Sequence, residues 1–449
     1  MQNLIECNIG QSGLNFRFQG KDFKLVYPKE VWKKYPAKEI LRDHLAHLLT
    51  ISLPLVSDIK RISYKTSYPF FAPLFRDLVS ENIPGAIEDY GPHTKEMLDK
   101  FSKTQFEFAG GVTEFPSSLY KPSERNVVVS FTNGKDSMLT LGLTRELGLK
   151  PACVYVNDTV SPSENRIKIK HLNEISRKFK IPCFVVRNEV EQLNDFEYWD
   201  KPETCVGYSH MVMGFCLMAL PACNYHSAKR IFVGNERNMD HSFINKDGYK
   251  TYPDFLQTTK GTQFLDKGVN LISGGSVGVS SIIKPLYNLA VIKILNNRYP
   301  ELARYEVSCD CLDAYPSAKR WCMRCSKCAR MYVMMKAVGA DPKNVGMKGG
   351  MLDKKHEKLY CLFKGKEVDF YEKNTQMRDE QLLAFYLAYK NGEKGYLMEK
   401  FSKKYLKEAQ KREKTLRKRF FSIYDSEVVP SDLKSDLYKI YNKELKELV

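Results

Sequence analysis

Val127-Val128-Val129-Ser130-Phe131-Thr132-Asn133-Gly134-Lys135-Asp136-Ser137 decides the reading of this chain. An apolar β-branched run feeds a short polar turn. The turn feeds a helical pattern from Met138 to Leu147, and Gly148 follows where helices commonly stop. Such a turn places small residues at a helix N-terminus, where unpaired backbone N–H groups and the helix dipole favour an anion. Gly134 is expected to let the backbone approach a ligand. Thr132 and Ser137 supply hydroxyls, Lys135 a cation and Asp136 a carboxylate suited to Mg²⁺. The stretch therefore reads as a phosphate cradle for ATP. The spacing of Gly134 and Lys135 excludes a Walker loop. The plainer alternative is a helix start capped by Asn133, with Lys135 and Asp136 solvated.

Outward from this stretch the rhythm is strand, helix, strand. Strands are expected at Val127–Ser130, Pro151–Val156, Pro182–Val186, Arg230–Val233 and Ser280–Ile283, with helices at Asn165–Phe179, Ser209–Leu220 and Leu286–Asn296. Apolar strands alternating with helices predict an α/β fold with a parallel, doubly wound sheet covered on both faces. Ligands in such sheets sit beyond the C-terminal strand ends, where the Thr132–Ser137 turn falls. Residues 1–120 read as an N-terminal α+β domain, with a hairpin over Leu14–Tyr27 and a helix over Ala37–Leu49. Residues 124–300 form the ATP-binding domain, 305–340 a cysteine knuckle with its helix Ala329–Val338, and 350–449 a charged helical C-terminal region.

The chain has 449 residues, 43% of them hydrophobic, enough for two or three domains. No run of about 18 uncharged apolar residues suggests a membrane span, and Met1–Gly20 lacks a secretory pattern, so the expected location is the cytoplasm. The net charge of +17 fits an anionic partner or a lysine-rich background. Its densest cluster, Lys400–Arg419, could touch RNA, although a solvated helix face has the same composition.

Five of the twelve cysteines lie between Cys309 and Cys328. Cys322, Cys325 and Cys328 form C-x₂-C-x₂-C, and one upstream thiol completes a tetrahedral, structural Cys₄ zinc site. Cys309 is favoured as the fourth ligand and Cys311 is the alternate. An iron–sulfur cluster is the rival occupant.

Together, the turn and the knuckle resemble the PP-loop ATP pyrophosphatases, whose fold is HUP-type and Rossmann-like and whose signature is S-G-G-x-D-S. Thr132-Asn133-Gly134-Lys135-Asp136-Ser137 stands at that signature, with Asn133 replacing its first glycine. Two branches compete. Tyr252-Pro253-Asp254 and the four-cysteine knuckle resemble the 7-cyano-7-deazaguanine synthase branch. The likeness is broader to the MurL-type epimerases of UDP-N-acetylmuramoyl-L-alanyl-L-glutamate. It covers the N-terminal region, Val233-Gly234-Asn235-Glu236-Arg237, Lys284-Pro285-Leu286-Tyr287-Asn288-Leu289-Ala290, Ser308-Cys309 and Arg320-Trp321-Cys322.

This resemblance implies adenylation of a substrate carboxylate, with ATP and Mg²⁺ bound and a small anionic acceptor as partner. It implies that the Thr132–Ser137 loop and Asn235 hold the nucleotide, that Lys135 meets the leaving pyrophosphate, and that Asp136 orients Mg²⁺. Glu236 is the candidate base and Arg237 a carboxylate clamp, with Asp240 and Asp254 as secondary candidates. Ser273-Gly274-Gly275-Ser276 is expected as a flexible loop over the site.

Overall fold

The computed structural model describes residues 3–87, 92–309, 311–368, 372 and 374–449. The strands are β1 (Leu4–Gly10), β2 (Gly13–Phe18), β3 (Lys21–Val26), β4 (Arg61–Tyr64), β5 (Gln105–Phe108), β6 (Ser123–Ser130), β7 (Lys150–Asn157), β8 (Cys183–Asn188), β9 (Ala228–Phe232), β10 (Phe243–Ile244), β11 (Lys250–Thr251) and β12 (Gly278–Ser280). Ten of them form one sheet in the order β12-β9-β6-β7-β8-β3-β2-β1-β4-β5. The run from β12 to β8 is parallel throughout. The order reverses at β6, which lies between β7 and β9, so the crevice between the loops after β6 and β9 is the topological switch point.

The alternation along β6 explains why the sheet needs two covering layers. Val127 and Val129 enter one apolar core and Val128 enters the other. The first core is closed by the helices Lys135–Glu146, Asn288–Arg298 and Ser326–Ala337, and by the C-terminal helices Thr375–Lys390, Leu406–Phe421 and Ser431–Leu445. The second is closed by Lys38–Leu48, Ala72–Ala86, Met211–Met218 and Thr259–Ile272.

Residues 1–120 are joined to the rest of the molecule by this second core and by the sheet itself. β3 pairs antiparallel with β8 through Leu25–Asn188 and Val26–Arg187, which extends the sheet into β2, β1, β4 and β5. The expected hairpin is present as β2 and β3, joined by Gln19 (φ 47°) and Gly20 (φ 78°), the left-handed pair that a two-residue type I′ turn requires. The fifth expected strand lies earlier than predicted, at Gly278–Ser280. Among the described residues one stretch, Val206–His226, has the length and hydropathy of a membrane span, but 78% of its 18-residue apolar window is buried inside the molecule.

Candidate active site and metal centre

Beyond the ends of β6 and β9 lies a cavity of about 390 Å³. From the first loop it is lined by Thr132, Gly134, Lys135, Asp136 and Ser137, and from the second by Val233, Gly234, Asn235 and Glu236. Helix Lys135–Glu146 begins inside the cavity wall. Its first-turn N–H groups have no partner within the helix itself. That of Lys135 donates to the Ser308 hydroxyl at 3.3 Å.

The loop's conformation departs from expectation in an informative way. The left-handed residue is Asn133, at φ 60°, whereas Gly134 has an ordinary φ of −77°. A Cβ on Gly134 would meet nothing nearer than the Ser308 hydroxyl at 3.6 Å. Close approach is instead required at Gly234, where a Cβ would lie 2.9 Å from the Asp136 Cβ. Gly234 is therefore the residue that lets the two loops meet.

Lys135 and Asp136 pair with each other, the ammonium donating to both carboxylate oxygens at 2.7 Å. Ser137 donates to the Gly134 carbonyl. Glu236 is buried, and its Oε2 accepts the Asn238 backbone N–H. Burial pushes its carboxyl up to about 7 against the pull of Lys135, while Asp136 and Glu380 push the same way as burial. A carboxyl poised near neutrality and facing a cavity suits proton transfer.

The other residues expected around Glu236 are used differently. Asn235 lines the cavity, but its amide is committed to the Leu256 carbonyl (3.1 Å) and the Thr262 hydroxyl (2.9 Å). Arg237 does not line the cavity. Its guanidinium lies 4.0 Å over the Tyr424 ring, because the 3₁₀ turn Arg237–Asp240 directs it away from Glu236 and towards the C-terminal tail. Asp240 accepts from the Thr259 N–H and hydroxyl and pairs with Lys284 at 3.1 Å, and Asp254 caps the turn Phe255–Gln257. Both act in the scaffold of the site. The Ser273–Ser276 loop also differs from expectation. Gly274 packs so tightly that a Cβ would lie 2.2 Å from the Ser117 carbonyl oxygen, and Ser276 accepts the Leu119 N–H, so this loop clasps the 116–119 segment and lines no part of the cavity.

Several functional groups escaped sequence reasoning. Glu306 is fully buried beside the cradle, and the Ser308 hydroxyl donates to its Oε1 at 2.8 Å. Its Oε2 has no hydrogen-bond partner among the described residues, and burial raises this carboxyl to about 7. Its only sequence signal was an acid set between the apolar Tyr305 and Val307. Glu380, on the C-terminal helix Thr375–Lys390, accepts the Asn238 amide at 2.5 Å and the Leu289 N–H at 2.8 Å. Met377 of the same helix lines the cavity, so the C-terminal region builds part of the site. Lys284, fully buried, donates to the Glu236 and Gln257 carbonyls at 2.9 Å and holds the second loop down. Lys168, Lys327 and Arg330 add cations to the cavity wall.

The cysteine knuckle has the form expected of it. The thiols of Cys309, Cys322, Cys325 and Cys328 lie within 4.8 Å of one another, and Cys322 and Cys328 are 3.8 Å apart. Zinc–sulfur bonds of 2.3 Å arranged tetrahedrally require S···S separations of about 3.8 Å. Backbone N–H groups of Cys322, Arg324 and Cys328 point at the sulfurs of Cys309, Cys322 and Cys325. Met323 adopts φ 57° to close the turn between the first two sulfurs of the triplet. Cys309 is the fourth member of the set and Cys311 stands outside it. These residues can hold a metal ion such as zinc. Four sulfur ligands would leave it no open position for chemistry, so its role would be structural.

The basic run Lys400–Arg419 divides between two faces. Arg412 and Arg419 pair with Asp379, Arg417 with Glu413, and Lys400 with Glu357. Lys403, Lys404, Lys407, Lys411, Lys414 and Lys418 are exposed. Arg412 and Arg419 thus fasten the helix Leu406–Phe421 to Thr375–Lys390, Arg417 braces its own helix, Lys400 ties its helix to the turn Lys354–Leu359, and the exposed lysines are solvated. Compared with known proteins, the chain matches no family model, no curated protein and no solved structure.

Proposed function

We propose that the protein is a PP-loop ATP pyrophosphatase of HUP-type fold that adenylates a substrate carboxylate, and that its substrate is the terminal L-glutamate of UDP-N-acetylmuramoyl-L-alanyl-L-glutamate or a close relative, which it epimerises. The observation that carries this reading is the meeting of the Thr132–Ser137 loop and the buried Glu236 in one cavity at the switch point of the sheet. The parallel strand order β8-β7-β6-β9-β12 supports the fold assignment.

The chemistry follows from the groups present. The carboxylate attacks the α-phosphorus of ATP, and the bond to the β-phosphate bridging oxygen breaks to release pyrophosphate. First-turn N–H groups and Lys135 receive the departing charge. Bound Mg²⁺ would polarise the phosphates, and Asp136 is the loop carboxylate able to supply it an oxygen. Losing Asp136 to the metal would release the Lys135 ammonium towards pyrophosphate. In the acyl-adenylate, carboxylate charge no longer opposes carbanion formation at the adjacent carbon. Glu236 takes the α-proton, water protonates the carbon on its other face, and a further water hydrolyses the acyl-adenylate to the epimerised carboxylate and AMP. With its carboxyl held near 7, Glu236 can take a proton at neutral pH and release it to water for the next turnover.

The test is incubation of the zinc-loaded protein with ATP, Mg²⁺ and UDP-N-acetylmuramoyl-L-alanyl-L-glutamate, scored for AMP, pyrophosphate and D-glutamate after hydrolysis. All three products support the reading. AMP formation with a carboxy-deazaguanine or an RNA instead would move the protein to the deazapurine branch. AMP from none of these acceptors would remove the epimerase assignment.

A further inference from the structure

The residue that departs from the PP-loop signature makes one contact a glycine could not duplicate. Asn133 is completely buried and left-handed at φ 60°. Its carbonyl accepts the Val307 N–H at 2.8 Å, which any residue would allow. Its side-chain amide donates to the Lys168 carbonyl at 3.2 Å. That bond joins the loop to the helix Pro162–Phe179 at a residue that itself lines the same cavity. The amide's Oδ1 is buried and has no hydrogen-bond partner among the described residues, a costly arrangement unless the site gains something from it.

The helix so tethered is braced at its start. The Ser163 and Glu164 N–H groups donate to the Asp313 carboxylate, at 2.7 and 3.4 Å. Lys168 is held against Glu164 one turn back, so its ammonium is oriented before any ligand arrives. An incoming anion thus meets a cation whose backbone is fixed to the cradle.

We propose that Asn133 positions Lys168 as a second phosphate-binding cation of the cradle, so that pyrophosphate is gripped by Lys135 from the loop and by Lys168 from the helix Pro162–Phe179. The inference rests on the reading of the Thr132–Ser137 loop as the triphosphate site. In this arrangement Lys168 is the binding residue and Asn133 the positioning one. The asparagine then compensates for the glycine it replaces. It keeps the left-handed backbone that asparagine tolerates well and adds a cross-link that glycine lacks.

Titration of inorganic pyrophosphate into the zinc-loaded full chain by calorimetry tests this without any acceptor substrate. Asn133→Gly preserves the φ > 0 backbone and removes only the tether. Lys168→Gln removes the cation. Each is expected to weaken pyrophosphate binding by about tenfold, and the double variant to bind no more weakly than Lys168→Gln alone, because both changes act through one ammonium. Unchanged binding in Lys168→Gln, or fully additive losses in the double variant, would overturn the proposal. Lys135→Gln separates this inference from the reading beneath it. If Lys135→Gln abolishes binding while Asn133→Gly and Lys168→Gln leave it intact, only the role of Lys168 falls. If Lys135→Gln also has no effect, the loop is not the anion site and both fall together.

Discussion

The knuckle and the cavity sit side by side, yet they are built on opposite plans. The knuckle takes its four thiols from the short span Cys309–Cys328, three of them at fixed C-x₂-C-x₂-C spacing. The cavity takes Lys135 and Asp136 from one loop, Glu236 from another, Ser308 from the approach to the knuckle and Met377 from the C-terminal helices. A metal site is specified by ligand type and a turn that presents the sulfurs. A polar cavity is specified by where a sheet and its helices bring distant side chains, and by which of those are buried without full hydrogen bonding. The first can be read locally, whereas the second exists only after folding.

The two regions should respond differently when each is perturbed in turn. The largest effect is expected from stripping the metal. Zinc-site binding free energies of about 10–16 kcal/mol in small domains make Cys328→Ser, or a strong chelator, sufficient to unfold residues 305–340. Loss of bound zinc with loss of near-ultraviolet circular dichroism checks this. An unchanged melting temperature after complete metal removal would make the four thiols incidental. Because Lys327 and Arg330 ride on the helix that starts at the knuckle, the cavity should fail with it.

Next comes Glu236→Gln. As the base, its loss should slow epimerisation by about 10²- to 10⁴-fold while AMP and pyrophosphate still form, since adenylation does not need it. In the unmodified protein the rate should rise with pH through about 7, where the buried Glu236 carboxyl ionises. Equal loss of both half-reactions would show that Glu236 only holds the loop.

Glu306→Gln should act on stability. This carboxyl is raised from 4.5 to about 7 by burial, so the folded state holds its proton more tightly than the unfolded chain does. The resulting stabilisation is full below about pH 4.5 and is lost as pH rises through about 7. Its size is about 3 kcal/mol at most, at 1.4 kcal/mol per unit. Denaturation midpoints across pH 4.5–8 should therefore fall less steeply in Glu306→Gln than in the parent. A parallel slope would show that this carboxyl does not titrate in that window.

The smallest effect is expected at Arg237→Lys. Stacking on Tyr424 contributes about 1 kcal/mol to fastening the C-terminal tail. A modest drop in melting temperature with unchanged pyrophosphate affinity is the expected result. A large loss of affinity would return Arg237 to the cavity.

The same contrast explains what could be read from the residues alone. The alternation of apolar strands and helices from Val127 onward predicted the parallel half of the sheet, because each strand buried on both faces is a continuous apolar run. The union of residues 1–120 with that sheet rests on the two-residue pairing of Leu25 and Val26 with Asn188 and Arg187, which leaves no periodic trace. Lys135, Asp136 and Glu236 were legible because each follows a strand in the parallel sheet. Arg237 was misplaced because adjacency in sequence does not survive a 3₁₀ turn, which swings neighbouring side chains apart. Glu380 was hidden for the opposite reason: it reaches Asn238 across 142 residues of chain.

In the proposed reaction the bend after β6 holds ATP for cleavage between its α- and β-phosphates. This is tested most directly by ³¹P nuclear magnetic resonance of the turnover mixture with ATP, Mg²⁺ and the UDP-linked dipeptide. The expected spectrum gains AMP and pyrophosphate in equal amounts, and loses both when Asp136 is replaced by alanine. A spectrum that gains ADP and inorganic phosphate, or that shows the same AMP in Asp136→Ala, would contradict it.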